Sequence, residues 1–203
     1  MRTPRVHAKP ILLATVPLLF VASLAGCGDD DAEESSDVAA FSLEERLLRI
    51  EIPVTLWGRA EDLAETHAAA EAAANLVVGS EGAGYGDRDG DGVVEDEDVD
   101  EFGVLPGLDG TPPGLAELVD NECVEADVLG GSWDDPAARW AELDAAVEAW
   151  SPENDTISAL ASHPMQIVAW ATLAISTDAV DEAQDFGELA AANLETSLEA
   201  VDC

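Results

Sequence analysis

The sequence predicts an all-α fold, an antiparallel helical bundle of about four principal helices with one long loop inserted in it. Three observations point there: apolar residues recur at helical spacing in successive segments, capping residues and breakers fall at their ends, and no convincing pair of alternating strands appears.

The elements follow in order. Ser42-Leu43-Glu44-Glu45 has the capping-box form, Ser at the cap and Glu three on, and opens a short helix with Leu43, Leu47 and Ile50 on one face. Pro53 is expected to end it. A longer helix is expected from about Thr55 to Val78, with Leu56, Leu63, His67, Ala70, Ala74 and Val77 on one stripe and Gly79 as the stop. A short helix is expected over Leu115 to about Glu122. Asp135-Pro136 supplies a cap and a preorganised first position for a helix carrying Trp140, Leu143, Val147 and Trp150, closed by Ser151-Pro152. Pro164 to Ile175 is apolar nearly all round and reads as the central, most buried helix. Thr177-Asp178 is expected to cap the last one, with Val180, Ala183, Ala190, Leu194, Leu198 and Val201 as its stripe.

From Ser80 to Gly114 the chain turns rich in Gly, Asp and Pro and loses every helical or strand period. A loop of that length is organised by something it binds or has no fixed structure. Within it, residues 87–98 fit the EF-hand loop pattern position for position. Asp87, Asp89 and Asp91 fall at positions one, three and five, and Gly92 at six, where a sharp turn needs positive φ. Val93 offers its carbonyl at seven, Val94 is the apolar eighth, Glu95 reaches the ion directly or through water, and Asp98 closes the loop at twelve. Ca²⁺, a hard cation that takes six to eight oxygens, is the expected cofactor.

Asp at position twelve, in place of the usual bidentate Glu, is similar to the loops of dockerins over these twelve residues alone. Gly82, Gly84 and Gly86 stand where an EF-hand has its entering helix, and Gly103 and Pro106 cut the exiting one short, so this is a lone loop with a structural role expected before a sensing one. The order of a His-bearing helix, with His67, followed by Tyr85-Gly86-Asp87 loosely resembles uncharacterised bacterial helical proteins with a calcium loop, a likeness that implies no activity.

The N-terminus carries Arg2, Arg5 and Lys9, then an apolar run from Ile11 to Ala22, the layout of a secretory signal peptide. Leu24-Ala25-Gly26-Cys27 directly after it resembles the lipobox of bacterial lipoproteins. That resemblance implies cleavage before Cys27, a diacylglyceryl group on its thiol, and an extracytoplasmic membrane location, periplasmic or cell-surface. An ordinary secreted protein cleaved elsewhere, or an uncleaved anchor, is the competing reading. The expected organisation is a signal peptide over 1–26, an acidic tether over 27–40 and a helical domain over 41–203 that contains the calcium loop.

The leader takes three of the eight Lys and Arg and none of the 44 acids, which leaves a formal charge of −39 on the rest. No Lys lies beyond position 9, and phosphate binding needs clustered Lys and Arg, so nucleic acid is not an expected partner. Such a charge suits cations, high salt or a basic partner. The expected membrane partner is reached through lipid on Cys27, and Cys123 and Cys203 are expected to form a disulfide, the even pair that remains in an oxidising compartment.

His67 interrupts an apolar stripe above the small Ala70 and Ala74, and His163-Pro164-Met165 opens the buried helix. If the bundle joins them, His67, His163 and Met165 form a soft-metal or haem site; otherwise His67 is a hydrogen-bonded core histidine and His163 a cap residue. No Cys-x-x-Cys-His attachment motif accompanies them. Trp57, Trp133, Trp140, Trp150 and Trp170 read as core anchors. No nucleophile elbow, phosphate loop or zincin motif is present, and with 44 acids no carboxylate pair can be singled out. The function expected is therefore a non-enzymatic, lipid-anchored calcium-binding protein, structural or partner-binding, with a metal or haem carrier as the alternative.

Overall fold

The computed structural model describes residues 41–96, 103–108 and 121–203. They form five α-helices: α1 (Leu43–Trp57), α2 (Leu63–Val78), α3 (Pro136–Ala149), α4 (His163–Ser176) and α5 (Val180–Val201). No strand occurs among the described residues, so the expected all-α class holds. Short connections turn α1 back onto α2 and α4 back onto α5, and α4 also packs against α2 and α3. The predicted central helix is central: Pro164 to Leu173 holds only buried residues apart from Thr172 at its rim, with Met165 and Ile167 fully enclosed.

The Ser42 capping box forms as expected, with the Ser42 hydroxyl accepting from the Glu45 N–H and the Glu45 carboxylate accepting from the Ser42 N–H. Pro53 does not end this helix. It lies inside α1, which runs one further turn to Trp57. That turn buries Val54 and Trp57, and the Trp57 indole N–H donates to the Ala183 carbonyl at 2.7 Å, so packing offsets the backbone bond that proline cannot make.

The helix expected from Thr55 therefore starts only at Leu63, where the Asp62 carboxylate accepts from the Glu65 N–H. Leu56, expected on the buried stripe, is 59 % exposed. Gly79 closes α2 at φ 72°, as its position predicted. Asp135 caps α3 through its carboxylate, with Pro136 in the first turn.

Two expectations at the last helices change. α5 begins at Val180 with Ala179 at its cap and no capping side chain, while the Thr177 hydroxyl accepts from the Ala179 N–H and donates to the Glu182 carboxylate. α4 is capped by Ser162, whose hydroxyl accepts from the Met165 N–H and donates to the Val128 carbonyl. Most of the short helix expected over 115–122 lies outside the described residues; after it, Cys123 leads into a π-helical turn, Val124–Leu129, which periodicity did not indicate. Cys123 and Cys203 pair across 80 residues with Cα atoms 6.2 Å apart, as expected. No described helix is long and apolar enough to cross a membrane.

The stretch read as one loop from Ser80 to Gly114 is divided. Val104 and Leu105 are buried in the core, and both donate their N–H groups to the Val77 carbonyl near the end of α2. Arg46 from α1 donates to the Gly103 carbonyl at 2.8 Å, and a Cβ at Gly103 would collide with the backbone of residues 77–79. The loop thus leaves α2 at Gly79 and is pinned back beside it at Gly103.

Candidate metal centre

The polar face of α2 organises the loop. Glu71 is fully buried, and its carboxylate accepts three backbone N–H groups of the loop: Arg88 at 2.6 Å, Asp89 at 3.1 Å and Glu95 at 2.9 Å. One turn later, the buried Asn75 amide donates to the Gly86 and Glu95 carbonyls, while its oxygen accepts from the Gly86 N–H and from Arg88 Nε. Two side chains of one helix therefore hold both limbs of the loop. Tyr85 adds a bond from its hydroxyl to the Asp96 carbonyl at 3.4 Å.

Within the loop the carboxylates fold inward by accepting their own backbone. Asp87 accepts from Gly90 at 2.7 Å and from Gly92 at 3.0 Å, Asp89 from Asp91 at 3.0 Å, and Asp91 from Val93 at 2.7 Å. This places successive acids along one tight turn. Gly90 and Gly92 take φ of 78° and 92°, the left-handed region where a Cβ is strained, and Gly92 bends at loop position six as the pattern required. Val93 is half-exposed.

Carboxylate oxygens of Glu71, Asp87 and Asp89 lie within 4.8 Å of one another. Of the six ligands read from the sequence, Asp87 and Asp89 are thus brought together with Glu71, whereas the Asp91 and Glu95 carboxylates are not part of that group. Asp98 lies outside the described residues, as does Cys27. Glu71 was not anticipated. Its signal was present four residues after His67, as an acid on an apolar helix face where a buried charge demands partners.

The crowding has an electrostatic cost. Burial first, then the charges of Glu71, Asp91, Asp96 and Asp89, raise the Glu95 carboxyl above its ordinary value. Burial likewise raises Asp96, with Arg49 opposing it. The Arg88 guanidinium is lowered by burial, and Glu71 partly restores it. One divalent cation among these acids would reverse the balance, because attraction then replaces repulsion at short range.

The structure does not bring the alternative ligands together. His67 Nε2 meets the Thr177 carbonyl at 3.2 Å, just beyond the end of α4, whereas His163 is the first residue of α4 and its Nδ1 donates to Asn193 Oδ1 at 2.7 Å. The length of a fourteen-residue helix, about 20 Å at 1.5 Å per residue, separates those two anchoring points. Met165 is enclosed in the core, with its sulfur 3.8 Å from an Arg139 nitrogen. His67 and His163 are each hydrogen-bonded within the fold, far apart along α4.

Of the tryptophans, Trp57, Trp140 and Trp170 are buried while Trp133 and Trp150 are half-buried against the core. Trp133 and Trp140 donate to the Leu129 and Pro106 carbonyls. Trp150, Trp170 and Phe186 form an aromatic cluster, within which the Trp170 indole N–H has no partner. No protein-family model, curated protein or solved structure matches this chain.

Proposed function

We propose that this chain is a calcium-binding lipoprotein, held through lipid on Cys27 at the extracytoplasmic face of the cell membrane, with a structural or partner-binding role and no catalytic one. The observation that carries the calcium reading is the turn at residues 87–93. It aims Asp87 and Asp89 at the buried Glu71 within 4.8 Å and bends at Gly92 as a calcium loop must. Six to eight oxygens satisfy calcium, and the Asp87, Asp89, Asp91 and Glu95 carboxylates with the Val93 carbonyl supply most of them. Asp98 completes the sequence pattern. The lipobox-like Leu24 to Cys27 supports the anchorage.

A lone extracytoplasmic loop of this kind binds at about 10⁻⁴–10⁻³ M. At about ten millimolar calcium, mass action then stabilises the folded state by about 1.4–2.7 kcal/mol. That corresponds to a rise of about 4–8 °C in Tm for a domain of this size. Titration calorimetry on chelated protein measures the affinity, and Asp87→Ala with Asp91→Ala removes both the heat and the Tm rise. A wild-type melting curve that calcium leaves unmoved would sink the reading.

A further inference from the structure

A groove of about 600 Å³ runs between α1 and α2. Ala68, Ala69 and Ala72 of α2 floor it and leave the space open by their small size, while Ile52 and Leu56, 67 and 59 % exposed, form its α1 wall. Its volume falls within the range of about 300–1,000 Å³ usual for small-molecule sites, and an apolar lining with a few charged groups is their usual chemistry. Two exposed apolar residues are ordinary on a surface, but two that rim a concave apolar floor offer an alkyl body a place out of water.

The charges along the groove select the occupant. Arg49 lies over the Phe41 ring and attracts the Asp96 carboxylate, so these two are balanced. At the other end, beside the α1–α2 connection, Arg59 and Glu65 offset each other in sign. Glu95 is left over. Its backbone is fixed, the N–H donating to Glu71 and the carbonyl accepting from Asn75. Its carboxylate has no hydrogen-bond partner among the described residues and is not part of the Glu71, Asp87 and Asp89 group. Glu71, Asp91, Asp96 and Asp89 surround it with like charge, so a cation brought to Glu95 is attracted by all of them. The formal charge of −39 beyond the leader repels anions from the same place. We infer that the α1–α2 groove is a binding site for a small amphiphile with an alkyl body and a cationic head. The alkyl body lies on Ala68, Ala69 and Ala72 between Ile52 and Leu56, and the head, an ammonium group, pairs with Glu95. The site needs no calcium, so it stands apart from the reading of the loop as a calcium centre.

The test titrates octylammonium, octanol and octanoate into the isotope-labelled full chain, in excess chelator and at about 0.15 M salt, which screens the net charge. Octylammonium is expected to shift the amide resonances of Leu56, Ala69, Ala72 and Glu95 together. It binds about fivefold more tightly than octanol, the most that an exposed ion pair contributes, and octanoate binds more weakly than octanol. Glu95→Gln brings octylammonium down to the affinity of octanol, whereas Glu188→Gln on α5 changes nothing. Ala72→Phe fills the floor and removes the binding of both. Leu56→Ser, at an exposed position, weakens both and decides the matter if Ala72→Phe loses its helical circular dichroism. Octanoate bound as tightly as octylammonium, octylammonium no tighter than octanol, or shifts scattered over the acidic surface and indifferent to Leu56→Ser each overturn the inference. Calcium titration of the same samples reads the loop separately, so either reading can fail without the other.

Discussion

Glu71 accepts the backbone N–H of Glu95 at 2.9 Å, and this bond joins the middle of α2 to the far limb of a loop that begins sixteen residues later. Its other oxygen holds the near limb at Arg88 and Asp89. A single buried carboxylate thus fixes the loop's curvature before any ion is considered. An uncompensated charge at full burial would be untenable, and three N–H donors are what make it tolerable.

Glu71→Ala therefore weakens the fold even in chelator. It leaves three backbone donors of the loop without their acceptor and opens a void in α2's packed face. A loss of about 2–4 kcal/mol is expected from unsatisfied groups of this kind. Urea denaturation of both proteins in excess chelator checks it, and equal midpoints would show the bonds to be dispensable. Glu71→Gln keeps the volume but turns an amide toward donors, and should fall between the two.

The acids of the loop predict opposite pH slopes with and without calcium. Glu95 and Asp96 have carboxyl pKa values raised in the folded state. Between the ordinary value and the raised one, the folded chain then binds more protons than the unfolded chain, so the stability of metal-free protein falls as pH rises through that window. These groups are largely solvent-exposed, so the slope is shallow. Calcium requires the ionised carboxylates, so its stabilisation grows over the same window. Tm measured from about pH 4 to 7 with chelator and with calcium should coincide at the acid end and diverge as pH rises; a constant separation across that range would contradict the assignment of Glu95 to an ion.

The turn itself was legible because alternate acids and a glycine at a bend encode their geometry locally: Asp87 and Asp89 bring carboxylate oxygens close together and Gly92 takes a positive φ. Glu71 left a signal only as an acid four residues after His67, and Asn75 left none, since their role depends on how α2 packs against a segment without periodicity. The same limit hid Val104 and Leu105, two apolar residues in a glycine-rich stretch whose burial follows only from the bonds to Val77. Helix α3 was clear from its cap and periodicity and α4 from its apolar run, whereas at α1 a local rule about proline was overruled by the burial of Trp57.

The disulfide gives a prediction independent of the metal. Cys123 and Cys203 close 80 residues that include α3, α4 and α5. On the chain-entropy account, a loop of that length stabilises by about 4–5 kcal/mol. Cys203→Ser should lower the urea midpoint accordingly while leaving calcium affinity unchanged, because every ligand of the proposed site precedes Cys123. A shift in affinity on breaking the bond would mean that the C-terminal helices restrain the loop.

Pro53 offers the converse test, a substitution that should improve the protein. It sits inside α1 without an N–H to give to the carbonyl of Arg49, four residues back, and its ring crowds that carbonyl. Pro53→Ala restores the donor and removes the crowding, for which helix interiors allow up to about 3 kcal/mol. Against this stand the greater freedom of the unfolded chain, about 0.4–1 kcal/mol, and the lost burial of one or two methylenes at about 0.8 kcal/mol each. The net expectation is a gain of about 1 kcal/mol, read as a higher urea midpoint with unchanged slope. A loss would mean that the ring contributes more to the α1–α2 contact than the backbone bond does to α1, which would make Pro53 a shaping residue of the groove it lines.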